Sequence, residues 1–93
     1  MEFEWDPAKA DANLTKHGVS FEEASTVWQD YFYFDLFDHK HSIDEKRFLI
    51  VGESNAHQIL IISYTERDNT IRIISARELT PKERRGYEHG DFE

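Results

Sequence analysis

The second half of the chain holds three apolar runs, Arg47-Phe48-Leu49-Ile50-Val51-Gly52, Gln58-Ile59-Leu60-Ile61-Ile62-Ser63-Tyr64-Thr65 and Ile71-Arg72-Ile73-Ile74-Ser75-Ala76-Arg77, parted only by short polar stretches. Connections as short as Glu53-Ser54-Asn55-Ala56-His57 and Arg67-Asp68-Asn69 join neighbouring strands, so these runs predict an antiparallel meander. Their continuous apolar character implies cover on much of both faces, or a strongly twisted sheet. Around the last run stand three guanidiniums, Arg67, Arg72 and Arg77. A guanidinium is always charged and offers a planar fork of donors that matches phosphate oxygens, which points to a phosphodiester ligand. The competing reading is a solvated strand with ordinary salt bridges.

Ahead of the meander, Phe3-Glu4-Trp5 alternates and predicts a short edge strand. Asp6-Pro7 is a helix start, with Asp6 as N-cap and Pro7 at the first helical position, and the helix should run from Pro7 to about Lys16 and close at Gly18. Ser20-Phe21-Glu22-Glu23 reads as a capping box for a second helix, with Val19 and Ala24 as its staple and Phe21, Ala24, Val27 and Trp28 on one face. The aromatic run from Tyr31 to Phe37 predicts a strand, and the polar stretch from Asp38 to Glu45 a loop. Thr80-Pro81-Lys82-Glu83 opens a last helix reaching about Tyr87, and Gly90 and the acidic end beyond it should fray. The fold class is α+β: an antiparallel sheet of about four to five strands, two N-terminal helices and one C-terminal helix.

At 93 residues the chain suits one domain. It has no cysteine, no apolar run near the roughly 18 residues that cross a bilayer, and no signal-peptide pattern, so a reducing cytoplasm is expected and a membrane is not. A net charge of −8 argues against nucleic acid, which is bound by neutralising phosphates. Its distribution changes that argument: residues 1–45 carry 11 acids and 3 bases, whereas residues 46–87 carry 5 acids and 8 bases. A basic face on an acidic body can hold a short RNA, with an affinity that falls quickly with salt.

Trp5-Asp6-Pro7-x-Lys9, Asn13-Leu14-x-Lys16-His17-Gly18-Val19-x-Phe21-x-Glu23-Ala24, His41-Ser42-x-x-Glu45-x-Arg47-Phe48, Tyr64-Thr65-Glu66-Arg67, Ile71-Arg72-Ile73-Ile74-Ser75-Ala76-Arg77 and Glu83-Arg84-x-x-Tyr87 follow in order. Through them the chain resembles, over nearly its whole length, the BrnT family of toxins from bacterial type II toxin–antitoxin pairs. The resemblance implies a compact variant of the RelE-type ribonuclease fold and cleavage of RNA without metal or other cofactor. It also implies a BrnA-type antitoxin that neutralises the toxin and represses the operon, operator DNA being met only through that complex. The acidic charge departs from the basic character usual in this fold class. A second reading is therefore a protein-binding module, weak or inactive on RNA, that acts with the antitoxin in repression.

RNA is cut without metal when its own 2′-hydroxyl attacks phosphorus, which requires a base, a cation for the phosphorane and an acid for the leaving oxygen. His41, beside Ser42 and Glu45 that can orient it, is the first choice as proton carrier, with His39 a weaker one. His17 follows Lys16 at a helix end, where the dipole favours its charged form, and otherwise simply caps that helix. In a regular strand Arg72 and Arg77 point to opposite faces, so without a bulge one of them is structural. Arg67 is free at the hairpin end, while Arg77 can join Lys82 and Arg84, and Tyr87 either stacks on a base or packs on the sheet. His41, Arg67, His17, Arg77 and Tyr87 are thus the catalytic candidates, and Lys16, Arg47, Arg72, Lys82 and Arg84 the RNA-binding ones. Trp5, Trp28 and the aromatics from Tyr31 to Phe37 are assigned to the core or an interface. His39, His41, Asp38, Asp44 and His17 lack the spacings that fix a metal.

Overall fold

The computed structural model describes residues 1–92. Five strands, β1 (Glu2–Glu4), β2 (Phe34–Phe37), β3 (Phe48–Glu53), β4 (Ile59–Arg67) and β5 (Thr70–Glu78), form one sheet in the order β1-β5-β4-β3-β2. The helices are α1 (Pro7–His17), α2 (Phe21–Ser25) and α3 (Pro81–Glu88). The meander β2-β3-β4-β5 is antiparallel, but β1 pairs with β5 in parallel, so the sheet is mixed rather than wholly antiparallel. The chain reaches β1 before α1 and meets β5 only after the whole meander, which lets β1 lie alongside it in the same direction.

Local signals set α1 and α3. Asp6 accepts the Ala8 N–H at 2.9 Å, Pro7 begins α1, and Gly18, at φ 70°, closes it by donating to the Leu14 carbonyl. At α3 the Thr80 hydroxyl accepts the Glu83 N–H while Glu83 accepts the Thr80 N–H, completing a capping box. The box expected at Ser20 is only half made. Ser20 accepts the Glu23 N–H, but the Glu23 carboxylate turns to the Ser54 hydroxyl at 2.6 Å. Nor does α2 continue as one helix: Ser25 and Thr26 hydroxyls donate to the Glu22 and Glu23 carbonyls, and residues from Thr26 to Gln29 tighten into a 3-10 turn.

The strand expected from Tyr31 starts at Phe34. Asp30 accepts the Phe32 N–H on its side chain and the Tyr33 N–H on its carbonyl, which holds residues 31–33 in a turn. Tyr31 and Phe32 are left 91% and 76% exposed, so of the two places expected for them, core or interface, the core is ruled out. The expected loop after β2 contains a 3-10 turn, His39–His41. At the other end, Phe92 packs edge-on against Phe34 at 5.4 Å and Asp91 donates to the Gly86 carbonyl, so residues 91 and 92 are docked rather than frayed.

One core joins α1, α2 and the inner sheet face, with Phe21, Val27, Ile50, Leu60, Ile62 and Ile73 fully buried and Phe3, Trp5 and Trp28 closing its edge. Gly52 lies where a Cβ would come within 2.9 Å of both the Asp30 carboxylate and Val27. Asn13 bridges helix to sheet. Its carboxamide donates to the Val19 and Ala76 carbonyls and accepts the Ala76 N–H. Because β1 spans only Thr70 to Arg72 of β5, the free edge of β5 beyond it would otherwise hold unpaired backbone groups.

The decisive irregularity is a bulge in β5. Ser75 pairs with Ser63, but Ile73 pairs with Tyr64, leaving Ile74 unmatched. Ile71 and Ile73 face the core before the bulge and Ala76 faces it after. Arg72 and Arg77 are thereby brought to the same outer face, five residues apart.

Candidate nucleic-acid interface

Cross-strand partners share a face, so the outer face can be read from the register. At one end stand Phe34, Val51, Ile61 and Arg77, covered by α3, whose Tyr87 stacks on Phe34 at 6.0 Å. The middle row is Leu36, Leu49, Ser63 and Ser75, half-buried or exposed, with Leu36 sharing a hollow with Tyr87 and Phe92. The far row brings Thr65, Arg72 and Glu4 together, and Arg67 follows at the hairpin tip.

Beside that far end lies a cleft of about 540 Å³ lined by Lys40, His41, Ile43, Asp44, Glu45, Arg47 and Arg67. The loop forming it is stitched from within. Asp38 caps the 3-10 turn by accepting the His41 N–H, its carbonyl accepts the Ser42 hydroxyl, and that hydroxyl accepts the Arg47 N–H at 2.9 Å. The Thr65 hydroxyl, fully buried, donates to the Lys46 carbonyl at 2.8 Å and ties the loop's end to β4. Asp38 Oδ2 lies 2.9 Å from His41 Nδ1. With Nδ1 protonated toward this carboxylate, Nε2 is the free acceptor, the arrangement that a proton-carrying histidine requires. Its orienting group is therefore Asp38, not Ser42 or Glu45.

Glu45 instead grips Arg67, with Nε and Nη2 donating to both carboxylate oxygens at 3.2 to 3.3 Å. That hydrogen bond raises the Arg67 pKa further above its ordinary value. Arg47 is half-buried and forms no ion pair among the described residues.

The remaining candidates are dispersed. Arg72 pairs with Glu4 across β1 at 2.8 Å. Arg77 donates to both Glu83 oxygens at 2.7 and 3.0 Å, and this contact, helped by the Thr80 N–H and opposed by burial, holds the Glu83 carboxyl down at about 2. Arg84 meets Glu88 one turn on, at 3.3 Å between two exposed side chains. Lys82 lines a separate hollow with Thr80, Glu83, Gly86, Asp91 and Phe92. Tyr87 packs on the sheet, and burial, then the nearby Asp30 and Glu53, raise its phenol pKa. Lys16 and His17 end α1 on the inner, helix-covered side and do not line the Arg67 cleft. His39 packs edge-on against Phe37 at 4.5 Å. No three His, Asp or Glu side chains gather in a metal-holding group among the described residues.

Asp38 and Lys40 were not singled out for this cleft by sequence reasoning. The signal for Asp38 was its position three residues before His41, the spacing of a side-chain cap.

Fold and cleft together define an α+β protein, helices on both faces of a mixed sheet, with Lys40, Arg47 and Arg67 lining one cleft beside Asp44 and Glu45. Residues 5–83 match the family described as the ribonuclease toxin BrnT of type II toxin–antitoxin systems, and the chain belongs to that family. It is thus a ribonuclease toxin by family, and an antitoxin partner follows from that membership. The fold is similar to that of the Brucella abortus ribonuclease toxin BrnT, known from a 1.1 Å crystal structure, with a TM-score of 0.67 and 22% identity over 86% of this chain and 97% of that one. A comparison with curated protein sequences finds no match.

Proposed function

We propose that this toxin cuts RNA without a metal ion, at the cleft between the 3-10 turn and the β4-β5 hairpin. The observation that carries the reading is the oriented His41, its Nε2 left free by the 2.9 Å contact of Nδ1 with Asp38, in one cleft with Arg47 and Arg67. His41 takes the proton of the substrate's 2′-hydroxyl as that oxygen bonds to phosphorus. The guanidiniums offset charge on the phosphorane, the bond to the 5′-oxygen breaks, and that oxygen takes a proton from water in the open cleft. The products are a 2′,3′-cyclic phosphate and a free 5′-hydroxyl. Arg72 extends the track along the outer face, and a BrnA-type antitoxin silences the toxin and brings it to operator DNA.

The test is RNA incubated with purified protein in excess EDTA. Cyclic-phosphate or 3′-phosphate ends that disappear in His41→Ala are expected, and loss of cutting on chelation, restored by one divalent ion, would overturn the metal-free mechanism. The second reading, a repression module weak on RNA, is favoured by a separate observation: Arg67, Arg72, Arg77 and Arg84 each already hold a carboxylate of the chain. Operator binding by the antitoxin complex with no cleavage by free protein in EDTA or in any divalent ion would select it.

A further inference from the structure

The three outer-face arginine pairs differ in what holds the acid. Glu83 is fixed twice, by the Arg77 fork and by the Thr80 N–H at 2.8 Å, and letting go would also open the cap of α3. Glu4 sits on β1 directly opposite Arg72 in the strand register, so the sheet itself brings the two together. Glu45 has neither restraint. It lies outside any strand or helix, its described side-chain hydrogen bonds all go to Arg67, and these are long at 3.2 to 3.3 Å between groups 38% and 51% exposed. A carboxylate spread across a guanidinium fork occupies the place that two oxygens of a phosphate would take.

The geometry points to a phosphate subsite on the Arg67 fork, flanked by Arg47, Lys40 and His41, that Glu45 occupies in the free chain as an internal competitor and leaves when a phosphodiester binds. This rests on the reading of the cleft as the RNA site. Arg47, which has no ion pair among the described residues, supplies the second cation around an incoming phosphate. Displaced, Glu45 adds its charge to that of the adjacent Asp44 at the cleft, so entry of a polyanion is resisted twice, by competition and by repulsion. In a chain of net charge −8 such a latch would reserve the site for ligands that engage several cations at once.

The experiment titrates inorganic phosphate, and separately a 2′-O-methyl RNA oligonucleotide that cannot be cut, into the full chain, Glu45→Gln and Asp44→Asn. Side-chain NMR signals of Arg67 and His41 report phosphate, and fluorescence anisotropy reports RNA. Glu45→Gln is expected to bind both about tenfold more tightly than the parent with an unchanged melting midpoint, and Asp44→Asn, which removes equal charge but no competitor, to gain much less. Equal gains in the two variants, or none in Glu45→Gln, would overturn the proposal. So would a melting midpoint several degrees lower in Glu45→Gln, which would make the pair a structural staple. Tighter phosphate binding in a protein that cuts no RNA would leave the latch standing and refute the proposed function. Arg67-dependent cleavage without any gain in Glu45→Gln would do the reverse.

Discussion

Arg77 and Glu83 join β5 to α3 through two hydrogen bonds, and the same Glu83 carboxylate accepts the Thr80 N–H that starts the helix. One acid thus fixes a strand exit, a helix cap and the guanidinium that sequence reasoning offered as catalytic. An arginine held in this way ties the outer face to α3, and a phosphate would have to displace the Glu83 carboxylate to take the same donor fork.

That relationship has a pH signature. The Glu83 carboxyl is held at about 2 against an ordinary 4.5. Because the folded value lies below the unfolded one, its stabilisation is complete above the unfolded value and is lost as pH falls from there toward the folded one. Melting midpoints of the parent should exceed those of Glu83→Gln at neutral pH, and the gap should close across that acidic window. A gap that stays constant down to the lower limit would show that the pair contributes nothing through ionisation.

Asn13→Ala should destabilise the fold by about 1 to 3 kcal/mol, the cost of leaving buried backbone groups without partners. Its carboxamide serves both the N–H and the carbonyl of Ala76, at 3.1 and 2.8 Å. Chemical denaturation measures the loss, and hydrogen exchange should show the Ala76 amide losing protection. An unchanged midpoint would mean that water replaces the side chain without penalty.

In the proposed cleft, His41→Ala should reduce cleavage by about 100-fold or more while leaving the melting midpoint in place, since the side chain is 59% exposed. Asp38→Asn should cut the rate less, because it alters how the imidazole is held rather than removing it. Arg72→Ala is the contrast. Its partly exposed pair with Glu4 secures β1, so stability should fall by up to about 1 kcal/mol and RNA affinity should drop, with cleavage at saturating RNA retained. Abolished cleavage in a stable Arg72→Ala protein would move the chemistry from the cleft to the far row of the outer face, where Arg72 meets Thr65 and Glu4.

Salt should separate the two kinds of ligand. RNA binding by the free chain rests on a few cations in an acidic body and should weaken steeply between low and moderate ionic strength. A complex with the antitoxin should persist, provided apolar contacts anchor it, and 91% exposed Tyr31 and 76% exposed Phe32 offer such contacts. Gel filtration of the co-expressed pair across a salt series is the measurement. Dissociation of antitoxin and RNA over the same range would show both to be held by charge alone.

Short-range chemistry was enough to read α1 and α3. Asp6, Pro7 and Gly18 act within a few residues of one another, as do Thr80, Pro81 and Glu83, so their caps were legible before any contact was known. The β3-β4-β5 meander was legible for the same reason, through apolar runs parted by short polar turns. The family motifs named the fold class as well. Distance in the chain set the limit elsewhere. Ser54 claims the carboxylate of Glu23, and Asp30 converts residues 31–33 into a turn whose carboxylate also accepts the Glu53 N–H.

The site shows the same division. His41 and Arg67 are candidates by residue type alone, because imidazole carries protons near neutral pH and guanidinium binds oxyanions wherever they stand. The Asp38 cap that aims His41 is local, three residues away, but whether His41 and Arg67 meet was decided by a tertiary contact, Thr65 tying the loop's end to β4. The bulge at Ile74 settled the question of Arg72 and Arg77, since alternation along a strand assigns faces only while each residue has a partner. Partner choice among carboxylates was beyond sequence reasoning too. With 19 acids for 11 lysines and arginines, only packing determines that Arg77 is locked by Glu83, that Arg72 is tied to Glu4, and that Arg67 is held by the loosely restrained Glu45.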